Sequence, residues 1–135
     1  MKVRDVMTRS VTTIGENASI IEAMRLLLGE RISGLPVVDR TGTVVGVLSE
    51  GDLLRRVELG TERKHGHWIE FLLGPNRLAR EYIAAHGRKV GDIMTRAPLT
   101  IESSAPLVQA VRLFEKHAIK RLPVVDGGKL EGLVS

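Results

Sequence analysis

No cysteine occurs in the 135 residues. Disulfides, thiolate nucleophiles and cysteine-ligated zinc therefore fall outside the chemistry of this chain. Aromatic residues are almost as scarce, with one Trp, one Tyr and two Phe. A core must then be aliphatic, and the aromatic platform that stacks single-stranded bases is lacking. No apolar run approaches the ~18 residues of a membrane-spanning helix. The first residues, Met1-Lys2-Val3-Arg4-Asp5, lack the apolar stretch of a secretory signal. A cytoplasmic protein is the expectation. Charge of one sign does not dominate either: 20 Lys and Arg against 16 Asp and Glu leave a net +4. A basic balance suits polyanions, yet the basic residues are dispersed and the densest run, Glu62-Arg63-Lys64-His65, is short. Nucleic acid is disfavoured as a partner, and no membrane is expected.

What the chain does contain is a repeat. Val3-Arg4-Asp5-Val6-Met7-Thr8-Arg9 matches Val90-Gly91-Asp92-Ile93-Met94-Thr95-Arg96, and Leu35-Pro36-Val37-Val38-Asp39 matches Leu122-Pro123-Val124-Val125-Asp126. The offset is 87 at both ends, and 17 of the 37 paired positions from Val3 to Asp39 are identical. After the shared Asp the register slips by one, which places a turn there.

Each copy reads the same way. A short β segment (11–14 and 99–101) precedes a helix. Ser19 is a candidate N-cap with Glu22 three residues on, and Pro106 suits a first turn. The helical apolar face is Ile20, Ala23, Met24 and Leu27 in one copy, and Leu107, Ala110, Val111 and Phe114 in the other, the i, i+3, i+4, i+7 pattern. Two β-rich segments follow (35–38 with 43–48, and 122–125 with 129–134), joined at Asp39 to Gly42 and at Asp126 to Gly128 as hairpins. A helix is expected from Gly51 to Glu58. One such unit is too small to bury its sheet alone, whereas two packed together can. Residues 61–88 have no counterpart. They read as a helical connector whose Trp68 and Phe71 are candidates for a partner or dimer contact.

The ordered pair of motifs, Val-x-Asp-Val/Ile-Met-Thr, then Leu-Pro-Val-Val-Asp, then Gly-x-Val/Leu-Val/Leu-Ser, resembles the CBS domain pair, or Bateman module. Gly46-Val47-Leu48-Ser49-Glu50-Gly51-Asp52 is similar to its Gly-x-x-Ser/Thr-x-x-Asp signature. The insert with Trp68 resembles that of small bacterial members. The resemblance implies an α+β (α/β) fold of two β-α-β-β-α repeats packed with pseudo-two-fold symmetry. Repeat 1 would occupy 1–60 and repeat 2 89–135. The chain stops at Ser135, where the second signature begins, so repeat 2 is expected to be incomplete at its C-terminal end.

The same resemblance implies clefts between the repeats that hold AMP, ADP or ATP, ahead of S-adenosylmethionine. Carried onto this chain, Ser49 and Asp52 share one cleft with Thr95, Pro98, Leu99, Thr100, Ile119, Lys120, Arg121 and Pro123. Asp52 would accept from the ribose hydroxyls. Ser49 and nearby backbone N–H groups would meet a phosphate, with Lys120 and Arg121 neutralising its charge. The competing role for Ser49 and Asp52 is to cap a helix. A second, weaker site would use Val11, Thr12, Ile32, Ser33, Gly34, Pro36 and Ser135. Because Ser33 and Gly34 are uncharged where Lys120 and Arg121 are cationic, the two sites are expected to be unequal.

His65 and His67 lack a third ligand nearby, so no metal is expected. No Ser-His-Asp set, Gly-rich phosphate loop or HExxH motif occurs, and no enzyme activity is expected. No cofactor is implied. The function expected is a regulatory, ligand-sensing homodimer that signals to a regulated partner protein. The alternative is a structural homodimerisation module without a ligand.

Overall fold

A computed structural model describes residues 1–53, 88–96 and 98–135. Repeat 1 holds β1 (Ile14–Gly15), α1 (Ile20–Glu30), β2 (Gly34–Val38) and β3 (Val44–Ser49), and a helical turn starts at residue 50. A short α2 (Val90–Ile93) and β4 (Thr95–Arg96) lead into β5 (Ile101–Glu102), α3 (Leu107–His117), β6 (Leu122–Asp126) and β7 (Lys129–Val134). The rest of the helix expected to Glu58 and most of the connector, with Trp68, Phe71, His65 and His67, lie outside the described residues.

Local chemistry sets the element ends. The Ser19 hydroxyl accepts from the Glu22 N–H at 3.1 Å and opens α1. Pro106 takes the same place before α3, with backbone already extended at ψ 142°. Both helices stop at a left-handed residue that is not glycine, Arg31 (φ 55°) and Ala118 (φ 51°). Such a residue stores about 1–3 kcal/mol of strain and persists only where its surroundings fix it. Here the chain turns at once into a buried strand.

Each helix is the crossover between two parallel strands. Ile14 lies opposite Val37 in β1/β2, and Ile101 opposite Val124 in β5/β6. Each second strand then returns through a hairpin, β2/β3 and β6/β7. In the first turn the Asp39 carboxylate accepts from the Thr41 N–H (2.9 Å), the Thr41 hydroxyl (2.7 Å) and the Thr43 N–H (3.1 Å). In the second, Gly127 (φ 61°) and Gly128 (φ 87°) supply the two positive φ angles of a type I′ turn. The two turns also bond to each other: the Val44 N–H donates to the Gly128 carbonyl, and the Leu130 N–H to the Gly42 carbonyl.

The two leader segments are exchanged between the repeats. Val3 and Arg4 donate backbone bonds to the carbonyls of Ala105 and Ser103; Val90 and Gly91 donate to those of Ala18 and Glu16. Thr8 pairs with Leu133, while β4 pairs with β3, placing Thr95 opposite Val47. Accordingly Val90, Ile93 and Met94 are buried with Ile20, Met24, Leu27, Leu35 and Leu48 of repeat 1. Val3 and Met7 are buried with Ile101, Ala110, Leu122 and Val134 of repeat 2. Each core therefore contains residues from both sequence repeats.

The glycines of the two Gly-x-Val/Leu motifs permit this exchange. A Cβ on Gly46 would lie 2.5 Å from the Met94 sulfur, and one on Gly132 would lie 2.8 Å from the Met7 sulfur. The leader's aspartates have a local job: Asp5 and Asp92 accept from the backbone N–H groups of Lys2 and Lys89 at 2.8 and 2.9 Å.

Two expectations are corrected. The first strands are shorter and later than 11–14 and 99–101. Thr8 and Arg96 belong to the other repeat's sheet, so residues 9–13 and 98–100 are spent crossing between sheets and cannot join a ladder. Val111 is 46% exposed, and the packed face of α3 is Leu107, Ala110, Leu113 and Phe114. The periodicity admitted more apolar positions than the sheet can cover.

Candidate functional site

Between the repeats lies a groove of about 420 Å³, within the range of small-molecule sites. Repeat 1 contributes Ser33 to Pro36 at the start of β2, and Val47, Ser49 and Glu50 at the end of β3. Repeat 2 contributes Ala118 to Arg121 and Pro123. Antiparallel pairing of Gly34 with Ser49 brings the two repeat 1 segments side by side. The Glu50 N–H, donating to the Ser33 carbonyl at 2.9 Å, ties them together.

The walls are apolar where Val47, Pro36, Ile119 and Pro123 face the space, and polar where Ser33 and Ser49 do. Lys120 is exposed and Arg121 half-buried, and among the described residues neither has an ion-pair partner. Two unpaired cations on one repeat and a carboxylate, Glu50, on the other give the groove opposite charge at its two sides.

Ser49 and Asp52 form a local pair beneath this surface. Asp52 is 5% exposed. Its Oδ2 accepts from the Ser49 N–H (3.0 Å) and hydroxyl (3.1 Å), and its own N–H donates to Ser49 Oγ (3.2 Å). This is the reciprocal geometry of a helix cap. It leaves Ser49 Oγ in the groove wall with its proton committed and acceptor capacity remaining.

The expected residues distribute as follows. Ser49, Ile119, Lys120, Arg121 and Pro123, assigned to one cleft, line the same groove as Ser33, Gly34 and Pro36, assigned to the other. Thr95 is exposed on β4 beside Val47. Pro98 and Thr100 are half-buried and Leu99 is exposed; all three lie in the segment crossing to β5, outside the groove lining. Val11 and Thr12 lie in the other crossing segment, with the Thr12 hydroxyl donating to Glu30. Ile32 packs on the first core, and Ser135 is exposed after β7. Sequence reasoning missed Leu35, Val47, Glu50 and Ala118. Val47 was legible in principle, since strand alternation puts it on the same face as Ser49. Ala118 was not, because its position follows from a left-handed cap that its residue type does not announce.

Comparison with known proteins agrees with this architecture. The family model described as CBS domain matches residues 3–59 and 90–135. The chloroplastic CBS domain-containing protein CBSX2 of Arabidopsis thaliana is 33% identical over 98% of this chain, which spans 59% of that protein. The crystal structure of CBSX2 in complex with AMP superposes with a TM-score of 0.75 at 34% identity, covering 99% of this chain and 89% of the other. The CBS domain pair of protein MJ0100, in complex with 5′-methylthioadenosine and S-adenosyl-L-methionine, gives a TM-score of 0.72 at 25% identity, covering all of this chain and 92% of the other. A homoserine O-acetyltransferase of Methanocorpusculum labreanum is 34% identical over 93% of this chain, which spans only 20% of that enzyme. With both repeats matched, the chain belongs to the CBS domain family and carries the domain as a pair.

Proposed function

We propose that the groove binds an adenine nucleotide and that the chain is a non-catalytic sensor whose occupancy is read by a partner protein. The observation that carries this reading is the pair of cations, Lys120 and Arg121, unpartnered among the described residues, beside apolar walls in a groove of about 420 Å³. The adenine ring lies between Val47 and Ile119, and the phosphate meets Lys120 and Arg121. Ser49 Oγ, fixed by Asp52, accepts from a ribose hydroxyl. AMP bound to CBSX2, at 34% identity, supports the ligand class. S-adenosylmethionine is the second candidate. The assembly proposed is a homodimer, for which Val108 and Val111, 54% and 46% exposed on α3, offer an apolar strip.

Calorimetric titration of the full chain with AMP, ADP, ATP and S-adenosylmethionine tests this. A ligand at 100 times its Kd raises stability by about 2.7 kcal/mol, visible as a higher melting temperature. Arg121→Ala should weaken nucleotide binding by roughly 10- to 100-fold, the loss of a charged hydrogen bond. Absence of heat and of any melting shift with all four compounds would refute the reading.

A further inference from the structure

Glu50 is the only carboxylate among the described residues that line the groove. Its backbone is held by the Ser33 carbonyl. Its half-buried side chain has no hydrogen bond or ion pair among the described residues. The cap beneath it is served by Asp52 instead, so Glu50 has no structural partner to satisfy. A groove that only gathered phosphate charge would gain nothing from an unpaired carboxylate on its wall.

We infer that Glu50 limits the number of phosphoryl groups the groove accepts and selects a nucleoside monophosphate over the di- and triphosphate. The inference rests on the nucleotide reading above. Lys120 and Arg121 balance the roughly two negative charges of one phosphoryl group. Each further group brings about one more negative charge into the same space, with no further cation among the described lining residues and with Glu50 opposing it. At a separation of about 10 Å, an effective dielectric near 20 and a Debye length of about 8 Å, each extra charge weakens binding roughly twofold. From mono- to triphosphate the handicap is roughly fivefold.

Calorimetry of the wild type and Glu50→Gln with AMP, ADP and ATP, in the absence of divalent cations, decides it. The substitution keeps shape and removes charge. The AMP:ATP affinity ratio should fall roughly fivefold, with ADP between, and Glu50→Lys should push it further the same way. An unchanged ratio overturns the inference, and so does an equal loss for all three ligands, which would make Glu50 a contact to the shared nucleoside. Wild-type protein that binds none of the three would instead overturn the nucleotide reading itself. Melting curves of both variants without ligand confirm that the fold is intact.

Discussion

Replacing Gly132 with alanine puts a methyl carbon 2.7 Å from the Thr8 carbonyl oxygen and 2.8 Å from the Met7 sulfur. The thioether can rotate away. The carbonyl cannot, because Thr8 and Leu133 exchange two backbone hydrogen bonds, at 2.8 and 2.9 Å. Overpacking of this kind costs about 1–3 kcal/mol. If the strained pair opens, its two bonds add about 1 kcal/mol each. Reduced freedom of the unfolded chain returns about 0.4–1 kcal/mol. The net expectation is a loss of up to about 4.5 kcal/mol, centred on about 2 kcal/mol, from a total that is typically about 5–15 kcal/mol. Urea unfolding followed by far-ultraviolet circular dichroism should show a lower midpoint at an unchanged slope. Gly29→Ala is the matched control. No described residue lies within 4 Å of its added Cβ, and it sits inside α1, so it should stabilise by about 0.5–1 kcal/mol. A Gly132→Ala midpoint at or above that of the wild type would refute the claim that the leader of one repeat is locked against the last strand of the other.

The turn at Asp39 should give the protein an acid-sensitive element. Hydrogen bonds, first from the Thr41 hydroxyl and then from the Thr43 N–H, hold its carboxyl below the usual carboxylate range. The stabilisation is complete above the unfolded value and is lost as pH falls through the depressed folded one. Thr41→Val should therefore lower the urea midpoint at neutral pH and differ less from the wild type at about pH 3; an equal gap at both would contradict the assignment. At the end of α3, Ala118→Gly should relieve the left-handed backbone and raise the melting point slightly, because the relief of about 1–2 kcal/mol exceeds the added chain entropy of about 0.4–1 kcal/mol. A lower melting point would show that the Ala118 side chain matters more than its backbone.

Periodicity and turn chemistry carried much of the fold. The offset of 87, the Ser19 cap and the glycine-rich hairpin turns each have a local cause, and each appears where the residues place it. The exchange of leaders had no such signal. Val3 and Val90, and Met7 and Met94, are the same residues, so either leader suits either core as far as sequence can tell. Only the three-dimensional path, with 9–13 and 98–100 crossing between sheets, distinguishes the two arrangements. The groove was partly legible for a related reason. Its cationic residues, Lys120 and Arg121, differ from Ser33 and Gly34 and so stood out against the repeat. Val47 lines it through strand alternation, a pattern the sequence carries, whereas Ala118 lines it through a helix termination that leaves no mark in residue type.

The exchanged leaders also determine what a ligand in the groove can move. Val47 and Ser49 line the groove from β3, and β3 is paired to β4, the strand that follows α2. Its Gly46 lies under the Met94 thioether. A shift of β3 toward repeat 2 must therefore carry 88–96 with it or break that ladder. In a fold without exchange, β3 would end at its own hairpin and could adjust alone. The effect on a partner depends on differential affinity, since a nucleotide that binds both arrangements equally shifts neither. Tenfold selectivity between the two corresponds to about 1.4 kcal/mol. That is close to the overpacking cost expected where Gly46 meets Met94, so Gly46→Ala should perturb ligand response and stability together. A Gly46→Ala protein that loses stability yet keeps the wild-type difference in protease susceptibility between its free and nucleotide-bound forms would separate the two and show that the groove signals by another route.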